Sequence, residues 1–293
     1  NHDWLRTCIM QQPRGFLSLV GAILTEPCSL EADYGVFYID ALTYQPMCGA
    51  GTLSVAKALV ETGMVKRVEP ETKIVLETPT GLVTVYVKWE NHMVASINLE
   101  NVPAFLYRKD LHIDLAGYGD VSVDIGYGGN FFVLADVHSL GLTITKDTVN
   151  LLRSLSKDIL AAANKVIKVA HPTNPAINYL DQVLFCQNVP EEDGGYLAQC
   201  IFGDAQADIS PCGTGTSTRL AQRYFRGLIG LEETFVQKSV CGGAFHAKGL
   251  RETTLGGVPA IVPYVSCSDV HITGFNHLIV EENDKLKNGF VSW

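Results

Sequence analysis

Asp208-Ile209-Ser210-Pro211-Cys212-Gly213-Thr214-Gly215-Thr216 is the stretch on which the reading of this 293-residue chain turns. Small turn residues around Cys212 lead into Ser217-Thr218-Arg219-Leu220-Ala221-Gln222-Arg223, so the segment reads as a loop entering a helix. A helix start presents unpaired backbone N–H groups and a partial positive charge. A thiol held there is expected to ionise more easily than a free one, and the same N–H groups can hold a carboxylate or phosphate.

The pattern occurs twice. Cys48-Gly49-Ala50-Gly51-Thr52 opens Leu53-Ser54-Val55-Ala56-Lys57-Ala58-Leu59, so C-G-x-G-T at position 48 recurs at 212. Two related lobes, each offering a thiol at a helix N-terminus, are expected. Such a pair suits a substrate with an α-carboxylate. Backbone N–H groups would hold the carboxylate and ease charge build-up as the α-proton leaves, while one cysteine removes that proton and the other returns one to the opposite face. This chemistry needs no organic cofactor, and no P-loop or dinucleotide fingerprint is present.

Composition narrows the field. With 47% hydrophobic residues the chain can bury a large core, and a net charge of -9 without a basic run argues against nucleic acid or an anionic membrane surface. No apolar stretch is long enough to span a bilayer, and Asn1-His2-Asp3-Trp4 does not read as a signal peptide. The eight cysteines are therefore expected to be free thiols, and the cytoplasm the compartment. Cys186, Cys200, Cys241 and Cys267 lie in apolar strand-like runs and read as packing residues. No His/Cys spacing matches a metal site, and none is expected.

Along the chain, strands are expected near 16–24, 35–41, 73–77, 82–87, 92–99, 121–125, 130–135, 182–186, 197–202, 236–240, 260–265 and 271–281. Helices are expected near 50–62, 146–168 and 214–228, with Gly63 ending the first and His171-Pro172 stopping the second. Residues 106–119 read as a crossing between lobes. The predicted class is α+β: two pseudo-symmetric lobes, each a curved, mostly antiparallel sheet around a central helix. Residues 1–110 form the first lobe and 111–271 the second, with a C-terminal strand over 272–293 returning to the first.

The chain resembles the proline racemase family, which includes hydroxyproline epimerases and trans-3-hydroxyproline dehydratases. The resemblance rests on Asp3-Trp4-Leu5-Arg6-Thr7, Pro13-Arg14-Gly15, Pro46-Met47-Cys48-Gly49, Asn101-Val102-Pro103-Ala104-Phe105-Leu106-Tyr107, Tyr127-Gly128-Gly129-Asn130-Phe131-Phe132, Asp208 with the Cys212 motif, and Ile272-Thr273-Gly274-Phe275-Asn276-His277. It implies the diaminopimelate-epimerase-like fold, a homodimer as in many members, an imino-acid substrate, no cofactor, and Cys48 and Cys212 as the catalytic pair. It also implies Asp208 as the receiver of the ring nitrogen. Gly49, Ala50, Gly213 and Thr214 at the helix starts, with Tyr38 and Phe202 each ten residues before a catalytic cysteine, complete the expected substrate-binding set. Phe202 resembles the apolar choice of proline racemases, whereas Tyr38 could offer a hydroxyl to a hydroxylated ring.

The chain departs from the family pattern at three positions: Ala50 and Phe16 stand where a His is usual, and Ile209 where an Arg is usual. The thiol pair is kept while polar contacts near it are lost, which points to a substrate larger or less polar around nitrogen than free proline. The family's dehydratases carry Thr at the second catalytic position. Cys212 there favours racemisation or epimerisation, with dehydration, or imino-acid binding without turnover, as alternatives.

Overall fold

The computed structural model describes residues 2–292, and its architecture follows from a repeat of one supersecondary plan. In the first copy, β1 (Val20–Thr25) pairs antiparallel with β2 (Tyr34–Asp40), which turns into the short β3 (Tyr44–Gln45). Helix α2 (Gly49–Glu61) follows, then β4 (Glu71–Thr78) parallel to β2, and the antiparallel β5 (Gly81–Glu90) and β6 (Met93–Glu100). An eight-residue helix, α1 (Asp3–Met10), precedes it.

The second copy begins at β10 (Gln182–Cys186), antiparallel to β11 (Tyr196–Phe202), with β12 (Gln206–Ala207) folded back on β11. Helix α4 (Gly213–Phe225) leads to β13 (Phe235–Lys238), parallel to β11, then the antiparallel β14 (Ala244–Leu255) and β15 (Val258–Cys267). Between the copies lie β7 (Phe105–Leu115), β8 (Gly119–Tyr127), β9 (Phe131–Asp136) and helix α3 (Val149–Val166). The two halves share one sheet path, joined where β6 pairs antiparallel with β15. The fold is α+β, as expected.

The helices are where the repeat predicts them. Leu53, Ala56, Leu59 and Val60 of α2 are buried, and Gly63 adopts φ +74° just past its end. Helix α4 is enclosed although its first turns are polar: Thr216, Ser217, Thr218 and Arg219 are fully buried. Most of their polar atoms are paired: Ser217 donates to Gly213 O, Thr218 to Thr214 O, and Arg219 to Leu197 O and Gln187 O, while Arg219 Nε has no partner. Burial of this helix therefore leaves few polar groups unpaired. On α3, Leu152, Leu155, Ile159 and Ala163 form the buried stripe, but Val166 is exposed.

Four expectations need correction. Residues 106–119 are not a crossing: they belong to β7 and its pairing with β8, and residue 110, the expected end of the first lobe, lies within β7. Two register shifts in that ladder and the charged Arg108-Lys109-Asp110 blur its alternation. Helix α3 stops at Val166, before His171, whose ring instead packs on Tyr127. Residues 271–281 form no strand. The tail does return to the first lobe, but through an isolated Gln12–Phe290 bridge and an Arg14–Asp284 ion pair at 2.7 Å rather than a strand over 272–292; Trp293 lies outside the described residues. Cys241 is exposed, unlike the buried Cys186, Cys200 and Cys267.

Candidate active site

Both motif cysteines are helix N-caps. Cys48 caps α2 from an extended backbone, and its Sγ accepts the Gly51 N–H at 3.3 Å. Cys212 caps α4, and its Sγ accepts the Gly215 N–H at 3.3 Å. Cys212 holds φ +63°, a conformation that non-glycine residues adopt only when their surroundings enforce it. Here Ser210 Oγ accepts its N–H at 3.0 Å, and its carbonyl accepts the Thr216 N–H at 2.7 Å. The two helices start backbone to backbone through Gly49 and Gly213.

A third segment locks this junction. In the turn between β8 and β9, Asn130 Nδ2 donates to Met47 O at 2.8 Å and to Thr214 Oγ1 at 3.3 Å, tying the loop before Cys48 to the loop after Cys212. The turn tolerates nothing larger than glycine at 128, where a Cβ would lie 2.6 Å from Thr214 O and from the Thr218 backbone nitrogen. Gln182 and Gln45, one from each half, add a buried hydrogen bond at 3.0 Å.

The helix starts open on a cavity of about 40 Å³, lined by Cys48, Gly49, Ala50, Gly213 and Thr214, with Asp208, Cys212, Cys200, Phe202 and Asn130 among the remaining walls. Of the expected site residues, all but one reach it. Tyr38 does not: its hydroxyl is buried beneath α2, donating to Thr52 Oγ1 at 2.5 Å, while Thr52 donates to Cys48 O. The hydroxyl thus supports the Cys48 loop and faces no substrate. The departures also differ in place: Ala50 lines the cavity, whereas Phe16 and Ile209 are exposed and do not.

Electrostatics qualify the expectation of an easily ionised thiol. Burial pushes the Cys48 thiol up to about 12, and nearby Asp208 and Cys212 add to this; the Gly51 N–H opposes it but is outweighed. Burial likewise raises the Asp208 carboxyl above the usual range, against the hydrogen bond from Ser210 N–H at 2.8 Å. Six wall residues lie outside the expected set, Val20, Gln45, Met47, Asn130, Gln182 and Cys200, and two of them bear on the chemistry. Cys200 reads from the sequence as a packing residue, yet its sulfur lies within 4.8 Å of the Cys212 sulfur, and that neighbour together with burial holds it well above the ordinary thiol range. Its position two residues before Phe202 was the available signal, because i and i+2 share a strand face. Asn130 lies in a quoted motif, but its bridging role depends on contacts distant in sequence.

The family model for proline racemase matches residues 1–291. The chain belongs to the proline racemase family. It is 38% identical to a proline racemase of Clostridioides difficile over 291 residues, covering 99% of this chain and 87% of that protein. To a trans-3-hydroxy-L-proline dehydratase of Azospirillum brasilense it is 37% identical over 292 residues, with coverage of 99% and 87%. A hydroxyproline epimerase from Agrobacterium vitis, solved with bound trans-4-hydroxy-L-proline, superposes with a TM-score of 0.92 at 30% identity, covering 98% of this chain and 82% of that one. Family membership accords with the fold and with the motif pair at 48 and 212. Among the described residues, no helix is long and apolar enough to cross a membrane.

Proposed function

We propose that this protein inverts the α-carbon of proline or a hydroxyproline by proton transfer between Cys48 and Cys212. One observation carries the reading: two thiols, each capping a helix, border one small cavity. Burial favours the neutral thiol at Cys48, which suits it to deliver a proton. Cys212 takes the α-proton from one face while Cys48 delivers one to the other, and the reverse turnover exchanges the roles. The N–H groups at the Gly49–Ala50 and Gly213–Thr214 helix starts hold the substrate carboxylate, where charge accumulates as the proton leaves. Asp208 receives the ring nitrogen. Asn130 Oδ1, buried in the wall without a partner, offers it a second acceptor.

Phe202 presents an apolar wall, suited to the ring methylenes.

The test is incubation in D2O with proline, both 4-hydroxyprolines and 3-hydroxyproline. Deuterium should enter the α-position as optical rotation decays, and Cys48→Ser and Cys212→Ser should each abolish inversion. Full activity in either variant would sink the two-thiol mechanism. A dehydrated cyclic imine product would identify a dehydratase, and ligand binding without exchange a non-catalytic family member.

A further inference from the structure

Cys200, Asp208 and Cys212 present two sulfurs and a carboxylate oxygen that all lie within 4.8 Å of one another. We propose that these three side chains form a binding site for a thiophilic divalent cation such as Zn2+, and that its occupancy shuts the cavity by claiming Cys212.

The dimensions suit the ion. Zn–S bonds of about 2.3 Å and Zn–O bonds of about 2.1 Å in a tetrahedron place two sulfurs about 3.8 Å apart. The three groups therefore need to draw together by no more than about 1 Å. One short stretch of chain presents all of them, from the end of β11 to the cap of α4. Asp208 N–H donates to Cys200 O at 3.0 Å, and Gln199 Nε2 donates to Asp208 O at 2.8 Å, folding the connection back onto the strand.

The surroundings also resemble those of a metal site. Ser210 N–H holds Asp208 Oδ1 at 2.8 Å, while Gly215 N–H holds Cys212 Sγ at 3.3 Å. Outer hydrogen bonds of this kind orient ligands. The remaining coordination position faces the cavity, which has room for a water. Two sulfurs and one oxygen favour Zn2+ or Cd2+ and disfavour Mg2+ or Ca2+. The site depends on Cys200, a thiol that the proposed proton transfer does not use.

Binding is read without substrate, so it stands or falls separately from the reaction assigned above. The fully reduced chain is titrated with CdCl2 and CoCl2, with MgCl2 as control. One equivalent of Cd2+ should raise a thiolate-to-metal charge-transfer band, and Co2+ should give tetrahedral visible bands. Cys200→Ser should weaken Cd2+ binding by at least about 100-fold, more than loss of an outer-shell partner costs. Cys28→Ser and Cys241→Ser, which alter the exposed thiols, should leave it unchanged. X-ray absorption on the Zn2+-loaded wild-type chain should count two sulfurs, a measurement that does not depend on how the variants fold. Fewer than two sulfurs, no charge-transfer band, or undiminished binding in folded Cys200→Ser would overturn the site.

Discussion

Gly49 and Gly213 each occupy the space that a side chain on the other would need. A Cβ at Gly49 would lie 2.7 Å from Gly213 Cα, and a Cβ at Gly213 would lie 2.7 Å from Gly49 Cα. Both obstacles are backbone, so neither can swing aside. The second position of the repeated motif therefore sets how closely the two helix starts approach, and through them the spacing of the two thiols.

Gly49→Ala and Gly213→Ala should each force the helix starts apart. Overpacking of this kind costs about 1–3 kcal/mol. Thermal unfolding should show a lowered midpoint, and α-proton exchange should fall by more than the loss of folded protein explains. Unchanged exchange in a folded variant would mean that the thiol spacing does not depend on this contact.

The state of Cys48 gives a pH signature. Its thiol moves from an ordinary 9.0 to about 12 in the folded chain, so the folded state binds its proton more tightly than the unfolded state does. The corresponding stability is fully present below pH 9 and is lost as pH climbs towards 12. In alkaline denaturant titrations, Cys48→Ser should lose stability less steeply across that window than the wild type. Parallel slopes would argue that Cys48 titrates normally.

Asp181 behaves in the opposite way to most carboxylates. Burial and the nearby Asp40 raise it from 3.8 to about 6. Its stabilising contribution is therefore complete below about pH 4 and gone above about pH 6. Asp181→Asn should accordingly stabilise the protein at pH 7 by about 1–2 kcal/mol, a discounted figure for a partly accessible group. Equal stability of variant and wild type at pH 7, with a deficit below pH 4, would contradict this.

Asn130 joins the two cysteine loops and holds an unpartnered oxygen in the cavity wall. Asn130→Ala should raise KM for the imino acid as well as lower kcat, and cost about 1–3 kcal/mol of stability from the stranded Met47 carbonyl. A fall in kcat alone would leave Asn130 as a positioning residue that does not touch the substrate.

The sequence revealed the parts of the site that are local. Cys48 and Cys212 carry their surroundings with them, because small residues, a cap and a helix start are all within a few positions. Asp208 and Phe202 were found through the same motif. What depended on contacts distant in sequence was not legible. Cys200 looked like any apolar strand cysteine until β11 and the α4 cap were seen side by side. Tyr38 was misread because sequence spacing placed it near Cys48 without showing that Thr52 intervenes. The strand reading fails in two ways: β7 and β14 go unread, β7 blurred by its bulges and charges, whereas residues 271–281 read as a strand but find no partner. Helix α1 went unread because it is short, although Asp3 and Arg6, paired at 2.8 Å, stand at helical spacing.

The β6–β15 seam also bears on the order in which the two halves can be assembled. It pairs Ile97 with Cys267 and, just beyond, Ala104 bridges Ile261. Each strand has a nearer partner, β5 for β6 and β14 for β15, but closing the long loop between β6 and β15 is entropically slow. Residue 97 therefore waits for residue 267, 170 positions further along the chain. A chain that has emerged only as far as β6 holds Cys48 without Cys212 opposite it, because α4 and the strand that closes the seam follow later in the sequence.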